Sequence, residues 1–157
     1  LFLDVGGSMD PFVRTCEELF SAARTEFKHL EYFYFHNFVY ESVWKNNQRR
    51  TSERTSTQDL LHKYGADYKV IFIGDASMAP YEITQAGGSV EHWNEEPGYV
   101  WMQRFMAKYK KLIWINPYPK DTWGYTASTG IVRELVEDQM YPLTLRGLEE
   151  GMRFLSK

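Results

Sequence analysis

Short apolar runs alternate along this chain with longer stretches in which apolar residues recur every three or four positions, the pattern of strands exchanging with helices. Leu1 to Asp4 reads as the end of a buried strand. Pro11 suits the first turn of a following helix, because its missing N–H would be unpaired there in any case. Phe12, Cys16, Leu19, Phe20, Ala23, Phe27 and Leu30 then form one apolar stripe at helical spacing, which predicts a helix packed on a sheet. Glu31 to Phe38 and Val39 to Trp44 are aromatic-rich and β-prone, a hairpin or two adjacent strands. Asn46 and Asn47 supply turn chemistry, and the chain stays polar through Arg54. Thr57 to Tyr64 predicts a short helix closed by Gly65 in a left-handed cap. A strand over 70–74 follows, then an irregular or briefly helical stretch over 76–98, punctuated by Pro80, Gly87-Gly88 and Pro97. Beyond it come a helix over 99–109, a buried strand over 112–115 stopped by Asn116-Pro117, and a helix around 131–136. A short strand over 140–143 and a closing helix over 145–155 complete the pattern. Strands alternating with helices predict an α/β domain with a mostly parallel central sheet flanked by helices, and binding sites outside the strand carboxyl ends.

Composition narrows this reading. At 157 residues, one domain spanning 1–157 is expected, and 43% apolar with 17% aromatic residues supplies a sizeable core. The net charge of -3 gives no electrostatic reason to expect nucleic acid as a partner, and the basic stretch Lys45, Arg49, Arg50 and Arg54 reads as a solvated loop, with a partner contact as the alternative. No apolar run approaches the roughly 20 residues of a membrane-spanning helix. Cys16 is the only cysteine, so no internal disulfide forms, and a reducing, cytoplasmic setting is expected. Its place on the apolar stripe makes it a buried structural thiol. The chain opens at Leu1 with no initiator methionine and nothing resembling a targeting peptide, so a fragment of a longer protein is expected.

The densest chemistry lies at two strand ends. Asp4-Val5-Gly6-Gly7-Ser8-Met9 sets a carboxylate, open glycine backbone and a hydroxyl around one point, and Val70-Ile71-Phe72-Ile73-Gly74-Asp75-Ala76-Ser77 ends a second apolar run in the same way. Oxygen donors of this kind suit a hard divalent cation. Taken singly, either aspartate reads as a turn or cap residue; together with Ser8 and a threonine they read as a metal site. His29, His36, His62 and His92 lack close ligand spacing, which argues against zinc. Ser77 lies in no Gly-x-Ser-x-Gly turn and has no assignable partners for a hydrolase triad. Trp93, Tyr99, Trp101 and Trp123 read as core and loop packing, and Glu91, Glu95 and Glu96 as a solvated acidic loop.

Asp4-Val5-Gly6-Gly7-Ser8 resembles the Asp-x-Ser-x-Ser element of the von Willebrand factor type A domain (VWA), whose metal-ion-dependent adhesion site (MIDAS) adds a distant threonine and aspartate. Asp75 stands in the place of that second aspartate. Counting back from Leu60-Leu61 puts Thr55 in the place of the threonine, with Thr57 as the alternative. Leu112-Ile113-Trp114-Ile115-Asn116-Pro117, then Trp123, Tyr141-Pro142-Leu143 and a closing helix around Leu148, look like the bacterial CoxE-like subgroup. The resemblance implies a Rossmann-like doubly wound VWA fold and a non-enzymatic protein-interaction module. It also implies Mg²⁺ or Mn²⁺ held by Asp4, Ser8, Thr55 and Asp75, and a role as accessory to a MoxR-type AAA+ ATPase in assembling or activating another protein. Gly6 departs from the pattern by supplying no hydroxyl, so weaker metal binding, or a site filled when a partner docks, is expected. The alternative is a Mg²⁺-dependent phosphatase of the haloacid-dehalogenase type, whose Asp-x-Asp motif this chain matches at Asp4 but not at Gly6, where the general acid and base would stand.

Overall fold

The computed structural model describes residues 1–23, 27, 29–90 and 92–157, with the side chains of residues 20, 22 and 23 also outside the description. Seven strands form one mixed sheet in the order β4-β3-β2-β1-β5-β6-β7. They are β1 (Phe2–Asp4), β2 (Phe33–Phe35), β3 (Ser42–Trp44), β4 (Arg54–Ser56), β5 (Val70–Ile73), β6 (Leu112–Asn116) and β7 (Met140–Pro142). The helices are α1 (Asp10–Ala23), α2 (Thr57–Lys63), a single turn α3 (Tyr81–Thr84), α4 (Gly98–Lys108), α5 (Ala127–Leu135) and α6 (Leu145–Ser156). Strands β2, β1, β5, β6 and β7 run parallel, while β3 is antiparallel to both of its neighbours, β2 and β4. The architecture is α/β and compatible with a Rossmann-like doubly wound sheet.

Every residue of β1, β5 and β6 is buried, which is why these segments read as unbroken apolar runs rather than alternating ones. The period of two is still present, expressed as two kinds of apolar face. Phe2, Val70, Phe72, Leu112 and Trp114 point to an aromatic layer closed by Leu60 and Leu61 of α2, Trp101, Met102 and Phe105 of α4, and Val132 of α5. Leu3, Ile71, Ile73, Ile113 and Ile115 point to an aliphatic layer closed by Val13 and Cys16 of α1 and Leu155 of α6. On the aromatic side the rings of Phe2, Phe72 and Trp114 stack across three adjacent strands, with centroids 4.7 Å and 5.5 Å apart, and Phe105 meets both phenylalanines edge-on.

The expectations for the first helix need correction in one part. Pro11 does sit in the first turn of α1. Its buried residues among those described are Val13 and Cys16, in line with Met9 of the turn before it, whereas Leu19 is 37% exposed because it falls about a quarter of a turn to one side. Phe27 and Leu30 lie outside helix, and the expected continuation through 24–26 and 28 falls outside the described residues. Gly65 is not a left-handed cap: α2 ends at Tyr64, which is extended at φ -98° and whose N–H is satisfied by the Leu60 carbonyl. The polar stretch runs into a strand, β4, which begins at Arg54 and pairs with β3 at the sheet edge, where polar residues are tolerated. Burial, with Glu17 adding, pushes the Cys16 thiol up to about 11, which keeps it protonated and inert at neutral pH. Among the described residues no helix is long and apolar enough to cross a membrane.

Because Phe72 is fully buried between Phe2 and Trp114, Phe72→Ala should cost about 3–5 kcal/mol of stability. Urea denaturation will show this as a large fall in the midpoint, and a wild-type midpoint would mean that the aromatic stack is not the centre of the core.

Candidate metal centre

β1 lies between β2 and β5, and the chain leaves it toward β2 on one side and reaches β6 from β5 on the other. The crevice at the carboxyl ends of β1 and β5 is therefore the point at which the winding direction changes, where open α/β sheets bind their ligands. Both strand-end aspartates stand there. The register Leu3↔Ile73 sets Asp4 level with Gly74, and Asp75 follows one residue beyond. A Cβ on Gly74 would lie 3.0 Å from the Asp4 Cβ, 3.1 Å from its Oδ2 and 3.1 Å from the Trp114 ring, so the glycine is what lets the Asp4 carboxylate lean over β5.

Charge at this rim is held by short, specific contacts. Asp4 is 1% exposed and Asp75 2%, and buried carboxylates must find donors. Asp4 Oδ1 accepts the Asn37 backbone N–H at 2.9 Å, while Asp75 Oδ1 accepts the Ser77 N–H at 3.0 Å and Asp75 Oδ2 accepts the Ser8 hydroxyl. Ser8 sits on a single 3-10 turn, Gly7–Met9, that leads into α1, and its side chain is reached from solvent. Burial first, then the charges of Glu82, Asp4 and Glu41, push the neighbouring Tyr40 phenol well above its ordinary value, so it stays a neutral donor, here to the Glu82 carbonyl at 2.6 Å.

Asp4, Ser8 and Asp75 are thus brought together. Thr55 is placed elsewhere: it lies on β4 opposite Val43, three strands from β1, about 14 Å along the sheet at the usual strand spacing. Thr57 is fully buried, and its hydroxyl donates to the Tyr40 carbonyl at 2.5 Å. Among the described residues no group of three or more His, Cys, Asp or Glu side chains is placed to hold a metal ion. The donors at the rim are two carboxylates and a hydroxyl, and that all-oxygen set fits a hard divalent ion better than a transition metal.

The backbone at Gly6 is set by its surroundings. Its φ of 87° and ψ of 162° fall in a region that only glycine occupies freely. A Cβ there would lie 3.1 Å from the Arg49 guanidinium and 3.2 Å from His36 Nδ1. His36 Nδ1 is hydrogen bonded to the Val5 carbonyl at 2.7 Å, which assigns the ring proton to that nitrogen. A serine would need a different loop path, so the departure from the Asp-x-Ser-x-Ser pattern is built into the fold.

Several supporting residues escape sequence reasoning. Asn37, at φ 62°, links Asp4 to the buried Glu82, which accepts the Asn37 side-chain amide at 2.8 Å and the Ala79 N–H at 2.9 Å. Asn116, expected to stop its strand, donates to the Asp75 carbonyl at 3.0 Å and accepts the Tyr118 N–H at 2.9 Å. Ala76 is fully buried with φ 55°, an outlier for a residue with a Cβ, and its carbonyl accepts the hydroxyls of Ser128 at 2.6 Å and Thr129 at 3.2 Å. Asn-Pro after a strand and Ser-Thr at a helix start were the available signals, but each is also ordinary turn or cap chemistry. Comparison with known proteins returns no match: no family model, no curated protein and no solved structure matches the chain.

Restoring the serine by Gly6→Ser should destabilise the protein by about 1–3 kcal/mol, the usual cost of forcing a side chain into such a conformation. It should not strengthen divalent-ion binding. Urea denaturation and Mg²⁺ titration of the variant check both statements, and a variant that gains stability and metal affinity would show that the loop path is not constrained as described.

Proposed function

We propose that this chain is a non-enzymatic protein-interaction module that docks a partner through a divalent ion, Mg²⁺ or Mn²⁺, at the Asp4–Ser8–Asp75 rim. The observation that supports it most directly is the placement of two buried carboxylates at the ends of adjacent strands at the switch point, with the Ser8 hydroxyl bound to one of them. Two carboxylates on neighbouring strand ends concentrate negative potential at the rim, which a divalent cation would neutralise. Asp4, Ser8 and Asp75 are the side chains proposed to hold the ion, with water completing the shell, as Mg²⁺ usually retains several waters. An acidic side chain from a partner supplies a further oxygen, which makes docking depend on the ion. The resemblance to CoxE-like von Willebrand A domains extends the proposal to a cytoplasmic accessory of a MoxR-type AAA+ ATPase, acting on the assembly or activation of another protein. In this reading the rim positions and recognises, and performs no bond-making step.

Calorimetric titration with Mg²⁺ and Mn²⁺ should give saturable binding in the wild type and none in Asp4→Ala. Loss of the carboxylate leaves the Asn37 N–H without its acceptor, so Asp4→Ala should also lose about 1–3 kcal/mol of stability while remaining folded. Equal metal affinity in wild type and variant would remove Asp4 from the site. No binding in either would remove the metal from the reading.

A further inference from the structure

Beside the rim, between the carboxyl ends of β5 and β6 and the 3-10 segment Lys120–Tyr125, lies a cavity of about 260 Å³. Its wall includes Ser8, Asp75, Asn116, Thr122, Tyr125 and Thr129. The hydrogen bonds these groups already make decide what the cavity can accept. Ser8 gives its hydroxyl proton to Asp75, Thr122 to the Pro119 carbonyl at 2.7 Å, and Thr129 to the Ala76 carbonyl at 3.2 Å. A hydroxyl has one proton and two lone pairs, so these three present acceptor oxygens to the cavity. The Asn116 amide nitrogen is committed to the Asp75 carbonyl, and the neighbouring Trp123 indole N–H to the Tyr118 carbonyl at 2.9 Å. Among the described residues that line the cavity, Asp75 alone carries a formal charge, and each of its oxygens accepts one hydrogen bond with a second lone pair remaining. At the mouth, Tyr125 is 89% exposed, and Tyr118 is partly exposed.

We infer that this cavity is a binding site for a side-chain-sized organic cation, specifically an alkyl guanidinium. Asp75, the single formal charge of the described lining, repels anions, and the acceptor oxygens of Ser8, Thr122 and Thr129 beside it favour a donor-rich cation over a neutral ligand. A guanidinium instead brings five N–H donors in a plane, pairs with carboxylates in a bidentate fork, and stacks on aromatic faces such as Tyr125 and Tyr118. The volume is below the range of about 300–1,000 Å³ typical of drug-sized ligands, which suits a single side chain or a molecule of that size. Ser8 and Asp75 belong to the proposed metal rim as well, so bound Mg²⁺ competes with the guanidinium, while Asp4 lies outside the cavity lining. The inference does not depend on the metal reading.

The test is calorimetric titration with ethylguanidinium chloride, with ethylurea as its neutral counterpart of similar shape, first without divalent ions. Saturable binding of ethylguanidinium and not of ethylurea is the expected result. Equal binding of both, or binding of neither, overturns the proposal. Asp75→Asn should weaken binding about tenfold or more, as expected when a charged acceptor is removed, and Tyr125→Ala about twofold to fivefold. Unchanged affinity in a folded Asp75→Asn also overturns it. If Asp75→Asn does not fold, Thr126→Arg, at a half-exposed lining position, fills the cavity with the protein's own guanidinium and should abolish binding without lowering the melting temperature. Ethylguanidinium binding is measured without divalent ions and Mg²⁺ binding in its own titration, so a failure of the metal reading is separable from a failure here. A short peptide with a single arginine, tested in parallel, identifies the source: tighter binding than ethylguanidinium points to a partner's arginine, and equal or weaker binding to a free small cation.

Discussion

Burial of β1, β5 and β6 on both faces is the constraint on which the remainder of the structure depends. A strand covered on both sides has no solvent-facing position where a charged side chain is tolerated, so polar chemistry collects where the strands end. Asp4 follows Phe2 and Leu3, Asp75 follows Ile73 and Gly74, and Asn116 is the last residue of β6. Because these strands are parallel, all three ends lie on one rim. The aromatic stack of Phe2, Phe72 and Trp114 binds the strands together from one side, and Trp114 further ties β6 to β5 by donating its indole N–H to the Gly74 carbonyl at 2.8 Å.

The rim is stiffened from outside the sheet. Ser128 and Thr129, in the first turn of α5, hold the Ala76 carbonyl and so stabilise a backbone conformation that a Cβ normally disfavours. On the other flank, Asn37, in the loop after β2, ties Asp4 to the buried Glu82 of the turn α3. Preorganisation of this kind reduces the ordering cost on binding, and it leaves Asp4 and Asp75 as neighbouring negative groups in a poorly solvated place. The ion site and the cation cavity proposed above share Asp75.

Much of the fold is legible in the chain. The continuous apolar runs at 70–73 and 112–115, the start of α1 with Cys16 on its buried face, and the closing helix all follow from local pattern, because burial on one or two faces writes a period into the sequence. The edge strand β4 is not legible, since three polar residues at a sheet edge carry no apolar signal and are held by ladder bonds to β3. Thr55 illustrates the consequence: its spacing from Leu60-Leu61 suggests a ligand, yet its pairing with Val43 sets it across the sheet from Asp4. Leu19 was misjudged because a helical stripe about 100° wide admits more residues than the sheet actually covers.

Sequence alone therefore determined which segments are buried on both faces, that two of them end in aspartate, and that a glycine-rich turn and a hydroxyl follow the first. Tertiary structure decided that β1 and β5 are neighbours, that Asn37, Glu82, Asn116 and Ser128 support their ends, and which hydroxyl protons around the cavity are already spent. The division has a physical reason. Periodicity records how much of a segment is covered, a local property, whereas strand order and hydrogen-bond partners join residues up to 67 positions apart, as in Ser8 and Asp75, and become defined only when the whole sheet closes.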